Sequence, residues 1–491
     1  MLLVKHHNVN LLPMPDLETV IGLEVHAQMN TKSKMFCGCD NDAFGKPPNT
    51  TVCPICMGHP GTLPAPNEEA IKKAMKASLA IGCKIQEENH FDRKHYFYPD
   101  LPPGFQISQY DFPLSTKGEV KFNISDDSGN KVGDVRVCGI TRLHMENDAG
   151  KLTHRGEKTL CDYNRAGTPL VEIVTEPDLR SPEEAVAFAQ ELRRILIAVN
   201  SSEADMFKGM MRFDASVSLR EKGSKKLNPR SEIKNLNSFK SLERALTYEI
   251  KRLGKKWEEE GGPLKNDITV GWVDDDEQTK MLRDKETAMD YRYFPEPDIP
   301  PLRFTKKDIE KLKAEMPALP SELKLKYEEM GLEDFEVRML IDQPYFRIIF
   351  DKVAEETKDV KRSRSIVLTQ LAGFIKSDDG KEKPDEDFVT EQIIALIADE
   401  RITKNQEKEY LKDIVDGMTV EQIVKDKGVR DVDESEMEEL IEKAIEANPQ
   451  AVESFKAGKE QAIGAIVGWV MKESGGQADP ARVNEMLKKK L

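Results

Sequence analysis

Four prolines fall within the seven positions 295–301, in the run FPEPDIPP, and this forbids both a continuous helix and a central strand there. The chain reads differently on its two sides. Before the break lie short apolar–polar alternations and most of the Gly/Pro turns; after it, Glu- and Lys-rich sequence carries apolar residues at helical spacing through about 306–420. A length of 491 residues leaves room for roughly two to four domains. The expected fold class is therefore α+β. An antiparallel α+β domain with a metal knuckle spans 1–298, an all-α helical domain spans 299–414, and a small α-helical tail domain spans 415–491.

Charge limits what such a chain can bind. With 73 Lys+Arg against 88 Asp+Glu the net charge is −15, which excludes a chain-wide basic polyelectrolyte, so any nucleic-acid contact must be local. The segment from Asn448 onward has seven Lys/Arg against five Asp/Glu and is locally positive. Just before it, residues 431–442 hold seven carboxylates, yet Met437, Leu440, Ile441 and Ala444 recur at helical spacing and predict a solvated amphipathic helix. Asp479-Pro480 reads as a helix cap and first turn, with Val483, Met486 and Leu487 on the apolar face. The opening MLLVKHHNVNLLPMPD is interrupted at Lys5 and lacks a signal-peptide pattern, and the longest apolar stretch, 462–471, is too short to span a bilayer. A cytoplasmic protein without a membrane partner is expected, and an odd count of seven cysteines suits a reducing compartment.

Alternation assigns side chains to faces. In 18–28, Ile21, Leu23, Val25 and Ala27 share one side, so Glu24 and His26 share the other. In 134–146, Val135, Val137 and Leu143 are expected inward, leaving Arg136, Arg142, His144 and Glu146 together. In 212–220, Phe213, Ala215, Val217 and Leu219 oppose Arg212, Asp214, Ser216, Ser218 and Arg220, and Glu232 and Lys234 repeat the pattern. Helices at about 67–82, 182–198 and 238–253 would cover the apolar side. Any one such strand could be a solvated face. Several together make a cluster of carboxylates and imidazoles that a divalent cation would neutralise, with Lys234, Arg142 or Lys94 available for phosphates.

The sharpest local motif is Cys37-Gly38-Cys39, thirteen residues, then Cys53-Pro54-Ile55-Cys56, whose spacing can close a sulfur tetrahedron around a structural Zn²⁺. His59 reads as a loop residue, and Cys83, Cys138 and Cys161 as small core residues. No P-loop, G-x-G-x-x-G, H-E-x-x-H or G-x-S-x-G motif occurs. Residues 91–100, FDRKHYFYPD, mix cations and aromatics and suit stacking on a base, or else form an edge strand with exposed rings. Gly475-Gly476-Gln477 matches the tripeptide of peptide-release factors and reads as a chance turn.

Several blocks carry a resemblance: ETVIGLEVHAQMNTKSKMF (18–36), FDRKHYFYPDLPPGFQISQY (91–110), ITRLHMENDAGKLTH (140–154), DYNRAGTPLVEIVTEPDLRSPEEA (162–185), EIKNLNSFKSLERAL (232–246), DYRYFPEPDIPP (290–301) and the C-terminal QAIGAIVGWVMKESGGQADPARVNEMLKKKL. In this order they resemble the B-subunit family of the tRNA-dependent amidotransferases over essentially the whole chain. The resemblance implies a cradle-like N-terminal fold, and use of ATP and Mg²⁺ to phosphorylate the side-chain carboxylate of Glu-tRNA(Gln) and/or Asp-tRNA(Asn). Ammonia channelled from the A (glutaminase) member of a heterotrimer would then give the amide, with the C member joining A and B, and the cognate non-discriminating aminoacyl-tRNA synthetase as a further possible partner. By motif, Glu24, His26, Lys94, His144, Glu146 and Asp214 are implied as catalytic. The cofactor set is Glu24, His26, Glu146, Asp148, Asp214, Glu232 and Lys234, with Mg²⁺ on Glu24, His26 and Glu146. Asn164, Arg165 and Glu172 lie in a family block without an assigned role. Asn147 stands where many members have a second acid, and 270–280 lacks an expected arginine. Two other classes remain open: a zinc-containing tRNA-binding or assembly protein, and a small-molecule ligase whose C-terminal module binds no RNA.

Overall fold

The computed structural model describes residues 16–126, 130–284, 291–377, 383–399, 402, 404–427, 434–457, 459–474, 478 and 480–491. Residues 1–15, the acids Asp431 and Asp433, Gly475-Gly476-Gln477 and the cap residue Asp479 lie outside that set. Two compact units form, Met1–Lys326 and Tyr327–Leu491.

In chain order the strands are β1 Leu17–Gln28, β2 Lys84–Ile85, β3 Glu88–Asn89, β4 Asp92–His95, β5 Phe105–Ser108, β6 Ser115–Ser125, β7 Lys131–Asn147, β8 Lys151–Arg155, β9 Lys158–Asp162, β10 Pro169–Thr175, β11 Met211–Glu221, β12 Ser231–Leu236, β13 Ile268–Val273, β14 Gln278–Asp284, β15 Phe294–Pro295 and β16 Leu302–Arg303. Nine of them form the main sheet in the order β14-β13-β12-β11-β1-β10-β7-β6-β2. The pairs are antiparallel except β12–β13. That one departure from the expected antiparallel sheet has a local cause: the helix Phe239–Glu260 intervenes and returns the chain in the same direction.

Three helices, α1 Glu68–Ala80, α2 Pro182–Ala198 and α3 Phe239–Glu260, share one apolar cluster with the sheet. Ile21, Leu23, Val25, Phe213 and Val217 meet Ala74, Phe188, Leu192, Leu242 and Leu246 there. Each helix starts on a short polar cap. Asn67 accepts from the Glu69 and Ala70 amides, Ser181 precedes Pro182, and Ser238 accepts from Ser241. Helix α3 runs past the expected 253 because Trp257 is buried, and it stops at Gly261, whose φ of 71° is the left-handed cap that glycine supplies.

Strand β7 corrects one reading. Val135 and Val137 are 58% and 48% exposed, and Arg136 pairs with Glu184 of α2, on the helix side of the sheet. A bulge is the reason: Val174 of β10 faces Arg142 but Thr175 faces Ile140, so one extra residue shifts the alternation. Only Arg142, His144 and Glu146 share the polar face. The segment 91–100 is also corrected, because β4 is the middle strand of a small β15-β4-β5 sheet and not an edge; Phe97 and Tyr98 beyond it are exposed.

Within Tyr327–Leu491, Leu396, Ile402, Tyr410, Ile414, Val420 and Ile423 make one apolar cluster, and Met437, Ile441, Ala444, Ile463, Ile466, Val470, Val483 and Leu487 make another. Leu440 and Met486 pack against the second. Among the described residues no helix is long and apolar enough to cross a membrane.

Candidate functional site

Antiparallel register writes the site across four strands. His26 of β1 faces Glu172 of β10 and Arg212 of β11, and Glu172 faces His144 of β7, giving the row His144–Glu172–His26–Arg212. One pleat along, Glu24 faces Asp214 and Val174, and Val174 faces Arg142. Opposed residues point to one side of the sheet, so imidazoles and carboxylates are forced together.

Glu172 is the hub. Its Oε2 lies 3.3 Å from Nε2 of both His26 and His144, and its Oε1 lies 3.9 Å from Arg142. The His26 Nε2 also lies 3.8 Å from Glu24 and 3.9 Å from Glu146, while Ser108 donates to Glu146 at 3.2 Å. Glu24, His26 and Asp214 bring ligand atoms within 4.8 Å of one another, as do His26, Glu146 and Glu172. His26 Nδ1 is buried and has no hydrogen-bond partner among the described residues.

The electrostatics follow from this crowding. The Glu172 charge, then burial, pushes the Glu24 carboxyl up to about 7. Burial works against an ionised Glu172, yet His144 and His26 outweigh it and hold its pKa well below the usual range. For His26, burial and Arg212 disfavour the proton, but Glu172 and Glu146 lift it to about 9. Excess negative charge beside an imidazole is a donor set suited to a hard divalent cation. Lys234 bridges Asp214 at 3.0 Å and Glu232 at 2.9 Å, extending the cluster to β12. A cavity of about 370 Å³ opens beside Glu24 and Glu232, lined also by Arg142, Ser216, Ser218 and Arg230.

Lys94 reaches the cluster from the small sheet. Its Nζ lies 4.8 Å over the Tyr291 ring, and although burial opposes its charge, Tyr293, Glu146 and Glu172 around it raise its pKa. Its strand is held by the proline-rich segment: Arg93 pairs with buried Glu296 through bonds of 2.6 and 2.8 Å, lies 3.3 Å from Asp298 and stacks 4.3 Å over Phe105. His95 stacks on Phe294 and Tyr110 on Tyr293, with ring centroids 4.9 and 4.4 Å apart.

Asp148 lies apart from both triads. Arg212 at 3.2 Å, Arg165 at 3.5 Å and Gln28 at 3.1 Å engage it, and despite burial the two arginines keep its pKa low. Asn147 uses its oxygens on the small sheet: its Oδ1 accepts from the Ile107 amide and its carbonyl from Gln106.

Cys37, Cys39, Cys53 and Cys56 come within 4.8 Å of one another by their sulfurs, so four thiols can hold one metal ion. The Cys37 hydrogen bond is the largest of the effects that lower Cys56 to about 5. His59 is exposed in the same loop, and Cys83 and Cys138 are buried, but Cys161 is only partly buried on β9. Alternation on β1, β7, β11 and β12 thus brings the expected residues together. Glu172 has no role assigned from sequence, and its signal is a lone carboxylate inside the apolar run PLVEIVT, where every neighbouring residue but one is buried.

This sheet face gathers carboxylates, imidazoles and half-buried cations, the charged groups a catalytic domain needs. Family models agree: residues 19–310 match the GatB/GatE catalytic domain, and residues 349–491 match the GatB domain. The chain is similar to the B subunit of the aspartyl/glutamyl-tRNA(Asn/Gln) amidotransferase from Crocosphaera subtropica, 40% identical over 97% of this chain and 98% of the relative. It is 41% identical to the B subunit from Thermotoga maritima over 96% and 98%, and 43% identical to one of that kind, numbered 2, from Clostridium acetobutylicum over 96% and 99%. The chain belongs to the B-subunit family of the aspartyl/glutamyl-tRNA(Asn/Gln) amidotransferases.

Proposed function

We propose that this chain amidates the side-chain carboxylate of tRNA-bound glutamate and/or aspartate, Glu-tRNA(Gln) or Asp-tRNA(Asn), in a heterotrimer with the A (glutaminase) and C members of the amidotransferase. The observation that carries this reading is the His144–Glu172–His26 row with Glu24, Glu146 and Asp214 around it. A carboxylate is a poor acceptor for ammonia until one oxygen becomes a phosphate leaving group, so the chain must bring ATP and the substrate carboxylate together and keep water out.

Glu24, His26, Glu146 and Asp214 are the residues that would hold Mg²⁺, and their crowded charge fits it. When bound, the ion supplies charge neutralisation for the nucleotide phosphates. Glu172 orients the two imidazoles, and His144 steadies Glu172 from the far side. Lys94 and Arg142 are the cations that would steady the phosphoryl group and the substrate carboxylate. The cavity beside Glu24, with Ser216, Ser218 and Arg230, suits the sugar and phosphates of ATP in size and polarity. Lys234 holds Asp214 and Glu232 in place. Asp148 fixes Arg212 at the end of the row. The four cysteines would hold a structural Zn²⁺. Residues 415–491, with their locally positive tail, would grip tRNA. The cognate aminoacyl-tRNA synthetase is a further partner consistent with a mischarged substrate, and the setting is the cytoplasm.

The test co-expresses the chain with its A and C partners and supplies ATP with either glutamine or ammonium. Wild type should amidate at least one mischarged tRNA, and Glu146→Gln should lose amidation from free ammonium while keeping its fold, zinc and tRNA binding. Retained activity in Glu146→Gln removes that carboxylate from the mechanism, and absence of amidation in wild type overturns the reading.

A further inference from the structure

Lys34 is fully buried, although lysine is among the residues least often found inside. Among the described residues its Nζ partners are Cys56 Sγ at 3.8 Å and the Tyr163 carbonyl at 3.5 Å, neither of them a carboxylate. A buried ammonium is costly without a compensating negative charge, and the one cysteine in contact with it among the described residues, Cys56, supplies that charge when it is bound to a metal as a thiolate. Four thiolates on a dication leave a net double negative charge, which a neighbouring cation reduces. A fully buried lysine set against one sulfur of the quartet is an observation independent of the cysteine spacing, and its position complements a metal–thiolate cluster.

The surroundings extend from the knuckle to the sheet. Residues 163–168 touch both. Asn164 accepts from the Thr50 and Thr51 amides at 2.7 and 2.9 Å and donates to the Pro47 carbonyl at 2.7 Å, pinning the loop between the cysteine pairs. Gly167 has φ of 91°, and a Cβ there would lie 3.3 Å from both Cys56 Cβ and Lys34 Cδ. Its carbonyl accepts from Met35 at 2.8 Å and its amide donates to the Asp148 carbonyl at 2.9 Å. Asp148 in turn holds Arg165 and Arg212.

We propose that Lys34 is a positioning residue: the counter-cation of the metal–thiolate knuckle, transmitting metal occupancy through residues 163–168 to Asp148, which holds Arg212 at the end of the row. This rests on the reading that the quartet binds zinc. Lys34→Met keeps the length and removes the charge, and Lys34→Arg keeps the charge.

With the full chain loaded with zinc and an excess of chromogenic chelator, Lys34→Met should release zinc about 10–100-fold faster than wild type. Lys34→Arg should stay near the wild-type rate. Hydrogen exchange at the Gly167 amide should quicken in Lys34→Met alone. Unchanged release from Lys34→Met, equal acceleration in both variants, or unchanged Gly167 exchange overturns the proposal while leaving zinc binding intact. A wild-type chain that holds no zinc overturns the zinc reading itself. Should Lys34→Met not fold, amine labelling of wild type decides: the Lys34 peptide should be protected when loaded and labelled after zinc is stripped, and continued protection overturns the proposal.

Discussion

Replacing Glu296 by Gln tests whether one ion pair holds the proline-rich segment onto the strand that presents Lys94. The Glu296 side chain has no exposure and takes two charge-assisted bonds from Arg93, at 2.6 and 2.8 Å. Gln keeps the shape but accepts on one atom only, and its amide nitrogen would face a guanidinium donor. Asp298, at 3.3 Å, remains as partial compensation for Arg93. Losing the charged partner of a buried pair with this residual support should cost about 2–4 kcal/mol. At about 1.4 kcal/mol per decade, this is roughly a 30- to 1,000-fold rise in local opening. The opening has a specific reporter, because the Glu296 amide donates to the Phe91 carbonyl at 2.8 Å, across the junction the pair secures. Native-state hydrogen exchange read by mass spectrometry should show loss of protection in peptides covering 91–95 and 294–299, with the main-sheet peptides unchanged. Amidation should fall with it, because Lys94 sits one residue from Arg93. Unchanged protection in those two peptides refutes the reasoning.

Three further outcomes are expected. Glu172→Gln should lower ammonium-dependent amidation about 10–100-fold, because both imidazoles lose their shared anchor; near-wild-type turnover would show that the hub is only structural. At Gly118 an added methyl would meet the Ile81 carbonyl at 2.4 Å and Cys83 Sγ at 2.6 Å, so Gly118→Ala should destabilise the first unit by about 3 kcal/mol, and an unshifted melting temperature would contradict the close approach. Removing 434–491, whose apolar cluster packs on itself, should raise the KM for aminoacyl-tRNA at least about tenfold and spare the kcat, since phosphate contacts dominate such binding; an unchanged KM would place tRNA recognition elsewhere.

The parts of the site that sequence reveals are those where one strand face packs against helices. On β1 and β11 the apolar cluster demands strict alternation, so Glu24, His26, Arg212 and Asp214 can be read directly. On β7 the bulge near Thr141 breaks the period, which is why Val135 and Val137 read inward and stand exposed. Glu172 is obscured because β10 is buried on both faces and shows no alternation to mark its polar side. Lys34 is invisible for another reason: a lysine between Ser33 and Met35 looks like surface until the fold supplies its sulfur partners. The parallel β12–β13 pairing is equally hidden, since direction depends on the path of a helix and not on the strands themselves.

The place of β1 in the sheet order also governs how the chain comes together. It lies at the centre, between β10 and β11, yet the hydrogen bond from the Leu23 amide to Thr175 Oγ1 joins residues 152 positions apart. On a growing chain β1 is therefore made long before either neighbour, and its apolar face and both edges wait unpaired while some 140 residues are added. Folding of the first unit should be gated by the arrival of β10 and β11. A ribosome paused before them would hold a nascent chain that depends on chaperones to stay soluble.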